Sequence, residues 1–225
     1  MYYQLLTLLF ILAGLPLSAQ QKDFGVWTGL ALEKALTKRW DVELEAGYRQ
    51  KDNLNQWDKW FGGAEVSWSR KFFKAGLLYR YSYENGMKRT SNSHRLGVES
   101  QLKTDLDRFT LSYRGRVQAE YSNYESSEKG QIPDSFFRNR VKASYNIKGM
   151  PLEPWLSYEM AWRINSYSTR QIEHERYTAG LDYKINKHNA IGISYLLNRR
   201  KNVASPQNSY IVSLDYKFKL DRKKK

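Results

Sequence analysis

Cysteine is missing from this sequence altogether. Disulfides, thiol nucleophiles and thiolate metal sites are therefore excluded. Histidine occurs only at His94, His174 and His188, with no metal-ligand spacing and no phosphate-cradling glycine loop. No cofactor is implied. Beyond residue 19, no apolar run approaches the length of a membrane helix. Acidic residues are few: 23 Asp and Glu stand against 37 Lys and Arg, a net charge of +14. Such a balance raises the question of a nucleic-acid partner. Here the positive charge is spread along the chain and not gathered in one helix or patch. Anionic lipid headgroups account for it at least as well, and nucleic acid is not the expected partner.

Aromatic residues are plentiful. They make up 15% of the chain, with seven Trp and seventeen Tyr, although mean hydropathy is only −0.73. Disordered chains are aromatic-poor, and helical membrane proteins are more apolar. Both properties fit strands in which every apolar residue is followed by a polar one. At 225 residues the chain suits one domain.

Residues 1–19, MYYQLLTLLFILAGLPLSA, read as a cleaved signal peptide, with an apolar core from Leu5 to Leu17 ahead of Ser18-Ala19. No Lys or Arg precedes the core, and a retained anchor helix is the alternative. Residues 20–220 are expected to form the folded domain, and 221–225 a basic tail.

Within that domain the clearest segment is RFTLSYRGRVQAEY, residues 108–121. Phe109, Leu111, Tyr113, Gly115, Val117, Ala119 and Tyr121 share one strand face. Arg108, Thr110, Ser112, Arg114, Arg116, Gln118 and Glu120 share the other. Large rings at the ends of an apolar face are the signature of a strand crossing an outer membrane, with lipid outside and a polar lumen inside. Ten more segments alternate similarly: 24–36, 40–51, 60–69, 73–83, 94–103, 136–147, 154–164, 176–185, around 191–197, and 209–220. Asn139 is the poorest fit on an outward face. Trp40 to Tyr48 and Trp60 to Trp68 are eight residues apart, roughly 20 Å of height in a tilted strand. A soluble barrel with the same faces reversed would have to bury those rings at both rims.

The fold expected is all-β, an antiparallel up-and-down transmembrane barrel. Short turns alternate with longer loops, which puts the final strand's end in the periplasm. Eleven segments conflict with the even count of single-chain bacterial barrels. Twelve wall strands are expected, with ten as the alternative, and 24–36 is the segment in question.

At this point the chain resembles a known family, the small Gram-negative outer-membrane β-barrels classed as a domain of unknown function. The resemblance rests on DFGVWTGLALEK (23–34), GYR (47–49), YRY (79–81), HR (94–95), RGRVQAE (114–120), FRNRVKASY (137–145), EPWLSYE (153–159), RYTAGLDYK (176–184) and the closing LDYKFKL. It covers nearly the whole mature chain. It implies an outer-membrane location in a Gram-negative cell and no established activity.

The inward charges are the main clue to function. Alternation turns inward Arg49, Lys74, Arg80, Arg95, Arg108, Arg114, Arg116, Arg138, Arg140, Lys142, Arg163, Arg176, Lys184 and Lys217. The acidic set is Asp41, Glu43, Glu45, Glu65, Glu99, Glu120, Glu159, Asp182 and Asp215. Arg114, Arg116, Arg138 and Arg140 are expected to meet as a basic cluster able to draw in a small anionic solute, since basic rings select anions. Against this stands a lumen filled and stiffened by Arg–Glu pairs. A lipid-modifying enzyme is the third reading, using Ser91, Ser93 and His94, or His174 between Glu173 and Glu175; His188 reads as a turn residue. A partner-binding role for the outer loops at 52–59, 84–92, 122–134, 165–173 and 200–208 is a fourth. Outer-membrane lipid is the expected partner; no protein partner can be named.

Overall fold

In a computed structural model of the chain, the structure describes residues 21–86, 90–122, 126–127, 130–131, 133–165, 172–202 and 206–220. The expected signal peptide and basic tail lie outside the described residues. The strands are β1 (Gln21–Ala35), β2 (Trp40–Lys51), β3 (Gln56–Arg70), β4 (Phe73–Asn85), β5 (Thr90–Leu106), β6 (Phe109–Ser122), a two-residue pair β7 (Ser126–Ser127) and β8 (Gly130–Gln131), then β9 (Asp134–Tyr145), β10 (Leu152–Arg163), β11 (Ile172–Lys184), β12 (Asn189–Arg200) and β13 (Gln207–Leu220).

All except β7 and β8 form one closed barrel in the order β1-β2-β3-β4-β5-β6-β9-β10-β11-β12-β13. The wall therefore has eleven strands, and the expectation of twelve, or ten, is corrected. The odd count closes because β1 pairs with β13 in parallel, from Gln21 opposite Gln207 to Lys34 opposite Leu220. The segment at 24–36 is an ordinary wall strand that begins at the long-loop end. Closure leaves no edge of the wall unpaired, and that gain does not depend on the parity of the count.

Pairing register determines the barrel's girth. From Trp27, one route of paired residues runs through Arg49, Lys59 and Glu84 to Ser91 on β5. The opposite route runs through Ser213, Ser194, Gly180, Trp155, Ser144 and Thr110 and returns to β5 at Asp105, fourteen residues further on. A shear of fourteen across eleven strands tilts them by about 41° and gives a backbone radius of roughly 11 Å. That is wider than an eight-strand barrel and well short of a porin.

The barrel is inside-out relative to a soluble domain. Leu156, Leu77 and Leu30 are 65%, 64% and 61% exposed on its outer surface. The buried set is mainly polar, including Glu99, Gln118, Ser144 and Glu159. The buried hydrophobics among the described residues are Leu78, Ala161, Leu196 and Ile211. Trp60 and Tyr83 meet at 5.4 Å near the loop end, and Phe109 and Tyr145 at 4.8 Å near the turn end. Asn139 does face outward, and the Tyr113 hydroxyl donates to its Oδ1.

Two of the short turns are capped by their own side chains. Thr37 Oγ1 accepts from the amides of Arg39 (3.1 Å) and Trp40 (3.0 Å), and Asn186 Oδ1 from those of His188 (2.8 Å) and Asn189 (2.9 Å). The start of β1 is clamped to the 52–55 loop, where the Asn53 amide donates to Asp23 at 3.1 Å. At the turn end, Lys217 Nζ of β13 sits 2.7 Å from Glu33 of β1 and 2.6 Å from Glu43 of β2. This ties the parallel seam, the weaker kind of pairing, to the next strand. Lys217→Met is expected to lower stability by about 1 kcal/mol, since the group is partly exposed. Urea titration of the folded protein in micelles checks it, and an unchanged midpoint would show that the seam does not need the lysine.

Candidate functional site

The expected basic cluster is assembled by β6 and β9. Arg114 stands directly opposite Arg140, and Arg116 opposite Arg138. Like charges so placed destabilise a strand pair. The flanking strands supply the relief: Glu99 of β5 is opposite Arg116, and Glu159 of β10 is opposite Arg140. Arg116 donates to Glu99 from Nε at 2.9 Å and from a second nitrogen. Arg114 reaches over β9 to Glu159 at 2.5 Å and lies 3.9 Å from Glu99. Arg138 also donates to Glu159, and Arg176 of β11 lies 3.4 Å from the same carboxylate. Glu159 thus gathers three arginines from three strands. Arg140 makes no hydrogen bond or ion pair with a described residue, although Glu159 and Glu99 are its charged neighbours.

A second group lies nearer the loop end. Register and tilt place Arg49, Arg80, Arg95, Arg138 and Arg176, from five strands, within roughly 4 Å of one level along the axis. Arg80 reaches past β3 to Glu45, with both contacts at 2.7 Å. Arg95 is held by Glu120 at 2.7 Å, and Arg176 by Asn198 at 2.9 Å as well as Glu159. Arg49 is stacked instead. Its Cζ is 3.8 Å from the Trp27 ring centre and 5.1 Å from that of Phe61. Arg80 covers Phe61 at 4.1 Å, and Arg176 lies 5.6 Å from Trp27. Phe61 can lie flat because its partner across the strands is Gly47, where a Cβ would come within 2.4 Å of the ring.

Ion pairs occupy the other levels too. Near the loop mouth, Arg163 donates to Asp134 and, at 2.8 Å, to Glu173, and Lys59 meets Glu84 at 2.6 Å. Below, Lys74 meets Glu65 at 2.7 Å and Lys142 lies 3.7 Å from Asp182. The lumen is a lattice of charge, and among the described residues four of its ion pairs link strands that are not neighbours in the wall: Arg80–Glu45, Arg114–Glu159, Lys142–Asp182 and Lys217–Glu43.

The histidines do not converge. His94 is on the outer face, with Nδ1 2.9 Å from the Tyr79 hydroxyl. Ser93 is on the inner face, bonded to Glu84 at 3.1 Å. Adjacent residues of a strand point oppositely, so the two do not share a site. His174 faces inward beside Phe136, its Nε2 3.5 Å from Glu173. His188 lies in a turn, its Nδ1 2.9 Å from the Lys219 carbonyl.

Alternation alone did not single out Arg49, Trp27 and Phe61 as a group. A signal was available: Trp27 and Phe61 are large rings on the polar faces of their strands. An aromatic residue out of phase with its strand marks a lumen site.

Comparison with solved structures finds a bacterial polysaccharide outer membrane secretin at a TM-score of 0.55 and 11% identity. The match covers 82% of this chain and 66% of that one, so this chain spans just under two thirds of its length. The beta domain of the Bordetella autotransporter BrkA follows at 0.48 and 11% identity, covering 80% and 79% of the two chains. An anion-selective porin from Comamonas acidovorans follows at 0.38 and 10% identity, covering 77% and 55%. At such identities the first of these speaks for the fold, that of an outer-membrane barrel. No curated protein matches. A family model does match, over residues 24–209, that of the protein of unknown function DUF2490. With most of its length inside that match, and with the barrel to go with it, this chain belongs to the DUF2490 family.

Proposed function

We propose that this protein sits in the outer membrane of a Gram-negative cell and offers small anions a narrow, basic path through its lumen. The observation that carries the reading is Arg140. It stands at mid-height beside Arg114, Arg116 and Arg138, whose charge is divided, among the described residues, between two carboxylates, Glu99 and Glu159. A lumen side chain that keeps its positive charge unpaired attracts anions and repels cations. The exposed apolar belt supports the membrane location, because a surface of that kind needs hydrocarbon around it.

A second reading has its own support. Glu159 bridges three strands at once, and the ion pairs together can hold the lumen closed as a stiff plug of side chains. Planar-bilayer recording of purified, refolded protein separates the two. The path predicts discrete conductance with anion preference; absence of current in folded protein favours the plug. Where current appears, Arg114→Ala combined with Arg140→Ala is expected to reduce the anion-to-cation permeability ratio several-fold. An unchanged ratio would remove this cluster as the selecting element.

A further inference from the structure

We propose that Arg49, stacked on Trp27 and Phe61, is a binding site for a small oxyanion, a carboxylate or a phosphate, entered from the loop end of the lumen. The inference relies on the lumen being reached by solvent, as in the reading above, and not on conduction.

Stacking determines what Arg49 can do. At 3.8 Å from the Trp27 ring centre the guanidinium can only lie face-on to that ring, with Phe61 beside it at 5.1 Å. A guanidinium bonds in its own plane, along its edges, where its N–H groups point. Those edges meet no acceptor among the described residues. Arg49 is only half-buried, so solvent in the lumen reaches it.

No carboxylate among the described residues bonds to it. The cations nearest Arg49 are Arg80, Arg176 and Arg95; Asp58 and Asp215 act on it through space, and neither bonds to it. Asp58 lies 3.3 Å from Lys51. Arg80, Arg95 and Arg176 are already bonded to Glu45, Glu120 and Glu159. They add positive potential without competing for what binds at Arg49. A cation held among other cations in a confined space, with no carboxylate bonded to it, is costly unless an anion joins it. Planar, two-point capture of a carboxylate or phosphate is what an oriented arginine edge does best. Chloride, a sphere, cannot use both N–H groups of an edge in the same way.

The mid-height cluster offers no equivalent. Arg114, Arg116 and Arg138 are bonded to Glu99 or Glu159, and the Nε atoms of Arg114 and Arg138 that stay unbonded are buried. Among the described residues Arg140 has no bonded partner and no ring stacked on it to hold its plane. Both an open edge and a fixed plane occur together at Arg49.

The test uses the full mature barrel refolded in an uncharged detergent. Inorganic phosphate and, separately, acetate are titrated calorimetrically at constant ionic strength set with sodium chloride. The expected result is saturable binding of one equivalent, weakened roughly tenfold or more in Arg49→Gln and several-fold in Arg49→Lys, which keeps the charge and loses the planar edge. Trp27→Leu is expected to weaken binding while leaving every charge in place. Arg39→Gln, an exposed residue of the short turn between β1 and β2, is expected to bind as the unaltered protein does. Heat-modifiable migration on gels checks that each variant is folded. Binding by Arg49→Gln or Trp27→Leu equal to that of the unaltered protein, or no saturable binding at all, overturns the proposal. A barrel that binds phosphate yet passes no current keeps this site and loses the anion path. A conducting barrel whose Arg49→Gln variant binds unchanged loses this site alone.

Discussion

Glu159→Gln is expected to destabilise the folded barrel by roughly 3–5 kcal/mol, the cost of removing one partner from a buried ion pair. Glu159 is 7% exposed and takes Arg114 at 2.5 Å, Arg138, and Arg176 at 3.4 Å. With Arg140 directly opposite, loss of this one charge leaves four arginines facing each other with Glu99 as the nearest remaining acid. Glutamine keeps the shape and can still accept hydrogen bonds, so the effect isolates the charge. The comparison is Glu153→Gln at the turn end, where the partners are Ser144 at 2.8 Å and Lys184 at 2.9 Å, the lysine side chain 59% exposed. There the expected loss is below about 1 kcal/mol. Urea unfolding of both variants in the same micelles gives the contrast. Equal, small losses would mean that lumen water relaxes around the arginines and that the lattice carries little of the stability. If the barrel conducts, Glu159→Gln should also raise its anion preference, because the same charge is removed from the path.

Leu77→Arg is expected to cost roughly 2–4 kcal/mol in bilayers, the price of an arginine facing hydrocarbon near the midplane. Leu77 is 64% exposed and pairs across β3 and β5 with Val66 and Val98, which are also exposed. Phe72 is the control. It is 63% exposed but lies in the two-residue turn between β3 and β4, at the rim. Phe72→Arg is expected to cost at most about 1 kcal/mol, since the penalty falls off toward the interface. Two residues with equal exposure should therefore differ by the depth at which they sit. Refolding into lipid vesicles, followed by tryptophan fluorescence across a denaturant series, measures both. If Leu77→Arg proves as mild as Phe72→Arg, the outer belt does not face hydrocarbon, and the transmembrane placement falls with it.

The alternation that turns Leu111, Tyr113, Val117 and Tyr121 one way and Arg114, Arg116 and Gln118 the other is a property of the strand itself. Two-residue periodicity needs no partner, so the inward and outward faces were legible residue by residue. Arg114 and Arg116 facing Arg140 and Arg138 was legible as well, because two strands joined by one loop are neighbours. Even the awkward Asn139 was readable as outward, though not the Tyr113 hydroxyl that accommodates it, since that contact crosses from β6 to β9.

Other features are written in no single segment. Whether the wall closes with ten, eleven or twelve strands depends on how β1 and β13 meet, two strands at opposite ends of the sequence. Their parallel pairing satisfies both edges, and an even count has no energetic privilege over that. The shear of the closed wall then decides which side chains share a level, and so which arginine has a carboxylate within reach. Arg80 finds Glu45 two strands away and Arg114 finds Glu159 two strands away, while Arg49 finds only rings. Local pattern determined which way each charge points; closure of the barrel decided which charges meet, because a hydrogen-bond register around a ring is a property of all eleven strands together.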